Sequence, residues 1–285
     1  MKKYFAMAAA ALALVACDKN NDDLGIDNTK DTPITIQTAG VAELTTRAII
    51  EGQLIGAVDE NATMSVFVTG GSDAKYNANN VTWIHDGTDW RAESPTLFEG
   101  TNSNQEICAL SPYREDATIE DGVTITADGV TDYLVAVSTP VTSNSVSLTM
   151  THALTKLVLQ PTFGTELEGE TITEVKVVNM YASGTLNVSD NSWSNLGEAD
   201  AGLAMSNNEI LVIPMASCES FPIVITTSAG KIFQTDIRLA SVDNKLEAGT
   251  KYTVNLKVGP DKVGLGGITT ASWGTPADGG QLETL

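Results

Sequence analysis

The sequence predicts an all-β fold class: two antiparallel β-sandwich domains in tandem. Three observations point there. Beyond the first sixteen residues, no long stretch carries the 3.6-residue apolar period of an amphipathic helix. Short runs of Val, Ile, Thr and aromatic residues recur instead, punctuated by Gly, Asn and Asp. Several of these runs alternate apolar with polar side chains, the pattern of a strand with one dry and one wet face. A chain of 285 residues has length for two domains of ordinary size.

The N-terminus reads as an address and an anchor. Lys2 and Lys3 precede an unbroken apolar run from Phe5 to Ala16. That run is too short to span a bilayer as a helix and has the flanks of a secretory signal. It ends in Leu14-Val15-Ala16-Cys17, which resembles the bacterial lipobox. The resemblance implies acylation of the Cys17 thiol as a thioether, cleavage to leave Cys17 as the first residue, and N-acylation. Two or more acyl chains hold a protein stably on a membrane where one does not. Residues 1–16 are expected as signal peptide and 17–32 as a disordered tether, because the polar run Asp18 to Asp31 could not build a core. An acidic run behind a lipidated cysteine resembles the surface-export signal of Bacteroidota lipoproteins; a plain solvated linker fits it equally.

Residues 33–145 are expected as the first sandwich. Its candidate strands are Ile34 to Thr38, Ala48 to Leu54, Met64 to Thr69, Val81 to His85, Glu106 to Leu110, Val123 to Ala127 and Tyr133 to Val137. Trp83 to Trp90 reads as a hairpin, with Asp86-Gly87 supplying the positive-φ residues of a tight turn. In Val146 to Met150 the apolar residues are Val146, Leu148 and Met150, at even positions. From Leu157 to Leu159 they include the odd positions. A strand cannot change which parity faces the core without a break, so the chain is expected to pass between domains near His152-Ala153-Leu154.

The second sandwich and a terminal extension are assigned to residues 146–285. Its candidate strands are Ile172 to Val178, Thr185 to Val188, Ile210 to Ile213, Ile223 to Thr227, Lys231 to Leu239 and Lys251 to Val258. In the last, Tyr252, Val254, Leu256 and Val258 alternate with Lys251, Thr253, Asn255 and Lys257, a half-buried antiparallel strand.

Composition excludes several functions. The formal net charge is −20, and losing Lys2 and Lys3 with the signal makes the mature chain more negative still. Such a surface repels nucleic acid and anionic lipid headgroups. Cys108 and Cys218 lie far apart and read as buried small hydrophobes, not a disulfide. No Cys or His cluster has metal-ligand spacing, and no metal or cofactor is expected. The two histidines, His85 and His152, read as satisfied structural residues, so no catalytic residue is assigned. Asp86 and Asp89 match no calcium-loop pattern, and Gly264-Leu265-Gly266-Gly267 lacks the helix a phosphate loop needs. Trp83, Trp90, Trp193 and Trp273 could stack on sugars but read better as core fillers or hairpin closers.

Several segments, in order along the whole chain, resemble the fimbrillin family of Bacteroidota, which includes the type V pilins. They are Glu106 to Tyr113, ending in Pro-Tyr; Thr151-His152-Ala153-Leu154-Thr155-Lys156-Leu157; Leu211-Val212-Ile213-Pro214; Leu246 to Val254; and the closing Ile268 to Trp273. The resemblance implies two transthyretin-like sandwiches, export as a lipoprotein, trypsin-like cleavage near the first strand, and polymerisation by strand exchange with other fimbrial subunits. Arg47-Ala48 lies between two candidate strands, where that cut could fall. The tail after Trp273 is poor in alternating apolar residues and makes an unconvincing donor strand. Val263, Leu265 and Ile268 serve better, though their glycines weaken the stretch. Two roles stay open: a structural or accessory subunit of a fimbria, or a monomeric surface lipoprotein that binds a glycan or host protein.

Overall fold

The computed structural model describes residues 29–41, 61–167, 169–199 and 201–273. The described chain is all-β. In order, its strands are β1 (Thr35–Val41), β2 (Thr63–Thr69), β3 (Ala78–His85), β4 (Trp90–Ala92), β5 (Glu106–Ser111) and β6 (Val123–Thr126). Then come β7 (Leu134–Pro140), β8 (Ser145–His152), β9 (Thr155–Phe163), β10 (Ile172–Val177), β11 (Tyr181–Asn187) and β12 (Ser192–Glu198). The last are β13 (Leu203–Ala204), β14 (Glu209–Val212), β15 (Ser220–Thr227), β16 (Ile232–Arg238), β17 (Thr250–Val258) and β18 (Val263–Ser272). No helix of the described residues is long and apolar enough to cross a membrane.

Seven strands form one sheet in the order β1-β8-β7-β5-β2-β3-β4. Its pairs are antiparallel except for β1 on β8, which run parallel. β1 also lies alongside β4, and Pro33 bridges to Leu97, so the two ends of the sheet come together. The curled sheet encloses a cluster that includes Ile36, Met64, Val66, Trp83, Phe98, Ile107 and Met150. β2 explains its own lack of apolar–polar alternation: Met64, Val66 and Val68 feed this cluster, Phe67 faces a different one, and the one polar residue among them, Ser65, is itself buried. A strand buried on both faces has no polar alternation to show.

In the second half, the sheets β13-β10-β15-β16 and β14-β9-β17-β18 bury one large cluster. Tyr252, Val254, Leu256 and Val258 all point into it, as their alternation requires. The parity break is real. β8 buries Leu148, Met150 and His152; β9 buries Thr155, Leu157 and Leu159; Ala153 and Leu154, both buried, lie between.

A third sheet, β12-β11-β6, joins the halves, since β6 precedes the break in sequence and β11 and β12 follow it. Beneath it lies a third cluster drawn from both sides, with Phe67, Leu110 and Val135 meeting Leu186, Leu211, Ile213 and Trp273.

Three strands depart from the expectation, the two-residue β13 paired with β10 among them. β12 has no apolar alternation in sequence and is formed by pairing with β11. The glycine-rich stretch Val263–Ser272 is a full strand, antiparallel to β17 from Thr250↔Ser272 to Val258↔Val263. Its register shifts opposite Asn255 and Leu256, where Gly266 is the extra residue of a bulge. A Cβ there would come within 3.1 Å of the Asn255 carbonyl oxygen.

Candidate functional site

The feature most unlike the rest of the fold is the placement of β1. Along one side it pairs with β8 from Thr35↔Ser145 to Val41↔Met150. The residues just before it are hydrogen-bonded on the other side of the groove: Asp31 N–H donates to the Phe98 carbonyl, Phe98 N–H to Thr32, and Ile34 N–H to Thr96, each at 2.8 Å. Ile34, Ile36 and Ala39 are buried in the first-sheet cluster. The segment therefore sits as a plug between β8 and the Thr96–Phe98 stretch.

A clasp holds its N-terminal end. The Asp31 carboxylate accepts from Lys75 Nζ at 2.7 Å and from Tyr76 Oη at 2.6 Å on the same oxygen. These hydrogen bonds hold the Asp31 carboxyl below the usual carboxylate range and raise the Lys75 ammonium. Gln105, buried beneath, donates through Nε2 to the carbonyls of Tyr76 and Leu97. It thereby ties the clasp to the far wall of the groove.

The sequence-assigned site residues Cys17, Arg47 and Ala48 lie outside the described residues, as do the candidate strand Ala48 to Leu54 and the tail after Trp273. Cys108 and Cys218 are free, buried thiols. Burial pushes the Cys108 thiol up to about 12, which leaves it inert at neutral pH. His85 is buried, its Nδ1 accepting from Gly87 N–H and its ring edge-on to Trp90. The hairpin turns as expected, with Gly87 at φ 92°. Asp86 does not share the positive φ; its carboxylate accepts from the Thr88 and Asp89 amides and from Arg91, which brings its pKa down to about 2.

His152 is more deeply engaged than a junction residue need be. Its Nδ1 lies 2.6 Å from Asp132 Oδ2, both side chains are buried, and its ring stacks on Trp273 at 3.9 Å. Burial raises the Asp132 carboxyl, and the histidine opposes that shift. The pair and its stacked tryptophan join the end of β8 to the end of β18. Of the tryptophans, Trp83, Trp90 and Trp273 are buried, while Trp193 is only half-buried.

The groove around β1 was not legible from motifs. Its one sequence trace is the short Ile34-Thr35-Ile36 alternation. The clasp residues Lys75 and Tyr76 stand far from Asp31 in sequence and carried no signal.

Solved structures share this fold. A candidate cell adhesion protein from Bacteroides uniformis aligns with a TM-score of 0.60 at 16% identity, covering 85% of this chain and 98% of that one. One from Bacteroides ovatus aligns at 0.58 and 17%, covering 85% and 96%. One from Bacteroides fragilis aligns at 0.51 and 14%, covering 87% and 100%. No curated protein matches the chain. A sequence profile for a family described as fimbrillin-like matches residues 46–273.

Proposed function

The chain belongs to the fimbrillin-like family, and from that premise we propose that it is a structural or accessory subunit of a cell-surface fimbria, not an enzyme. It is exported as a lipoprotein on Cys17 and held at the outer membrane by a tether of residues 17–32. It assembles with other fimbrial subunits by strand exchange after cleavage at Arg47-Ala48. Its two units are assigned to residues 33–145 and 146–285.

The observation that carries this reading is the plug. β1 is an edge strand, and its apolar side chains complete a core that the rest of the chain leaves open. Removing it would expose the β8 edge and the apolar groove, a template that another extended strand can fill. While the chain is intact, β1 competes for its own groove at a very high effective concentration. A cut at Arg47 makes β1 a separate piece and ends that advantage. β18 is engaged with β17 along its length, so donating it would require peeling a formed strand. That favours an accessory position over a shaft position.

Limited trypsin digestion tests the proposal. Cleavage is expected first after Arg47, followed by oligomers that survive in SDS but fall apart on heating. Arg47→Ala is expected to stay monomeric under the same treatment. If Arg47→Ala assembles as readily as wild type, cleavage is not the switch, and the reading as a monomeric lipoprotein that binds a glycan or host protein takes its place.

A further inference from the structure

A cleft of about 550 Å³ opens where the joining sheet meets the second half. That is within the range of about 300–1,000 Å³ usual for small-ligand sites. One wall is Trp193 and Leu196 of β12; the opposite wall is Pro214, Met215, Lys245 and Glu247.

Trp193 is built into a platform. Its Nε1 donates to the Ala153 carbonyl at 3.1 Å, which fixes the ring and uses its only polar atom. Gly184 lies beneath it on the neighbouring strand. A Cβ on Gly184 would stand 3.0 Å from Trp193 Cε3 and 2.9 Å from Leu196 Cδ2, so only glycine lets both side chains settle there. What the platform presents to the cleft is apolar aromatic surface.

The backbone on the opposite wall is already spoken for. Met215 and Leu246 exchange both amide hydrogen bonds at 2.9 Å. Glu247 N–H donates to Tyr252 Oη, and the Glu247 carbonyl accepts from Thr155 Oγ1. Pro214 has no N–H to give. An incoming peptide strand would find no free N–H at Pro214, Met215, Leu246 or Glu247. The polar groups left are the side chains of Lys245 and Glu247, paired at 2.9 Å on the rim. Together they are neutral: an ionic ligand would have to break the pair, whereas hydroxyl groups can donate to the carboxylate and accept from the ammonium.

An apolar flat face beside a neutral donor–acceptor pair fits the chemistry of one ligand class. We infer that this cleft binds a neutral carbohydrate, with a sugar ring stacked on Trp193 and its hydroxyls bonded to Lys245 and Glu247. The site lies apart from β1 and does not depend on strand exchange.

The test is an array of neutral and sialylated oligosaccharides probed with the purified full chain, followed by titration of a retained glycan against tryptophan fluorescence. Retention of neutral glycans and a saturable fluorescence change are expected. Trp193→Ala should weaken binding at least about tenfold, as loss of the stacked ring implies. Because Trp193 also touches the core, Leu196→Asp and the Lys245→Ala/Glu247→Ala double variant serve as partners. Both alter exposed or rim side chains, and both should weaken binding at unchanged melting temperature. Failure of wild type to retain any neutral glycan, or retention unaffected by Leu196→Asp and the double variant, would overturn the assignment, as would a preference for sialylated over neutral sugars.

Discussion

The first and last described strands both lie at sheet edges, and they are held there by different means. β1 is seven residues long, runs parallel to its only ladder partner among the described residues, and buries Ile36 and Ala39 in the first-sheet cluster, with Ile34 just ahead of it. β18 is ten residues long, runs antiparallel to β17 through nine register pairs, and leaves most of its side chains in water. β1 adds buried side chains to its ladder with β8, whereas β18 rests on its ladder with β17 and on Trp273 beyond its end. Side-chain retention depends on the shape and polarity of a groove, which is the property the proposed exchange of β1 would use. Backbone retention depends on a continuous ladder that must be peeled bond by bond. The proposed strand exchange rests on this difference.

The comparison can be broken at several points. The largest effect is expected under β18, not in it. Leu256→Asp places a charge in the second-half core beneath β18 and should cost about 4 kcal/mol or prevent folding; thermal unfolding measures it. Ile36→Asp on β1 comes next, at about 3 kcal/mol. Its signature should be local: hydrogen exchange of the β1 and β8 amides speeds up while β17 and β18 stay protected. Equal loss of protection in all four would mean that β1 is no separate unit.

A smaller effect is expected from Asp31→Asn, which weakens the clasp. The sign with pH follows from the lowered Asp31 carboxyl. A depressed carboxylate stabilises the fold fully above its unfolded value, near about 3.9, and loses that contribution as pH falls through its folded value. Amides at the start of β1 should therefore exchange faster in Asp31→Asn at neutral pH. The difference from wild type should close as the pH drops below about 3.9. A difference that persists in acid would assign the effect to packing and not to charge. The smallest effects belong to Leu265→Asp on β18 and Thr253→Asp on the outer face of β17, each within about 0.5 kcal/mol. A large loss from Leu265→Asp would show that β18 is held by its side chains after all.

What sequence could reveal follows the same division. Elements stabilised by an alternating apolar face were legible: β8, β9 and β17 lie where their parity put them, and the parity switch between Met150 and Leu157 falls between β8 and β9. β12 and β18 were not legible as strands, because their stability comes from partners. Trp193, Gly184 and the register of β17 are long-range facts that no window of sequence contains. β6 was visible as a strand, but nothing in Val123 to Ala127 says that its partner is β11, across the break. The clasp was hidden for the same reason, since Asp31 and Lys75 read separately as ordinary surface charges.

The cluster under the joining sheet has a mechanical consequence. Units of one chain usually move against each other unless their interface is large and apolar. Here Leu110 and Val135 from one side of the crossing and Leu186 and Ile213 from the other are buried together. β6 and β11 are hydrogen-bonded over them. Bending at the crossing would have to tear a ladder and open an apolar interior at once, so there is no hinge. A tug at one end of the described body is passed to the other through a stiff interior rather than taken up at the crossing.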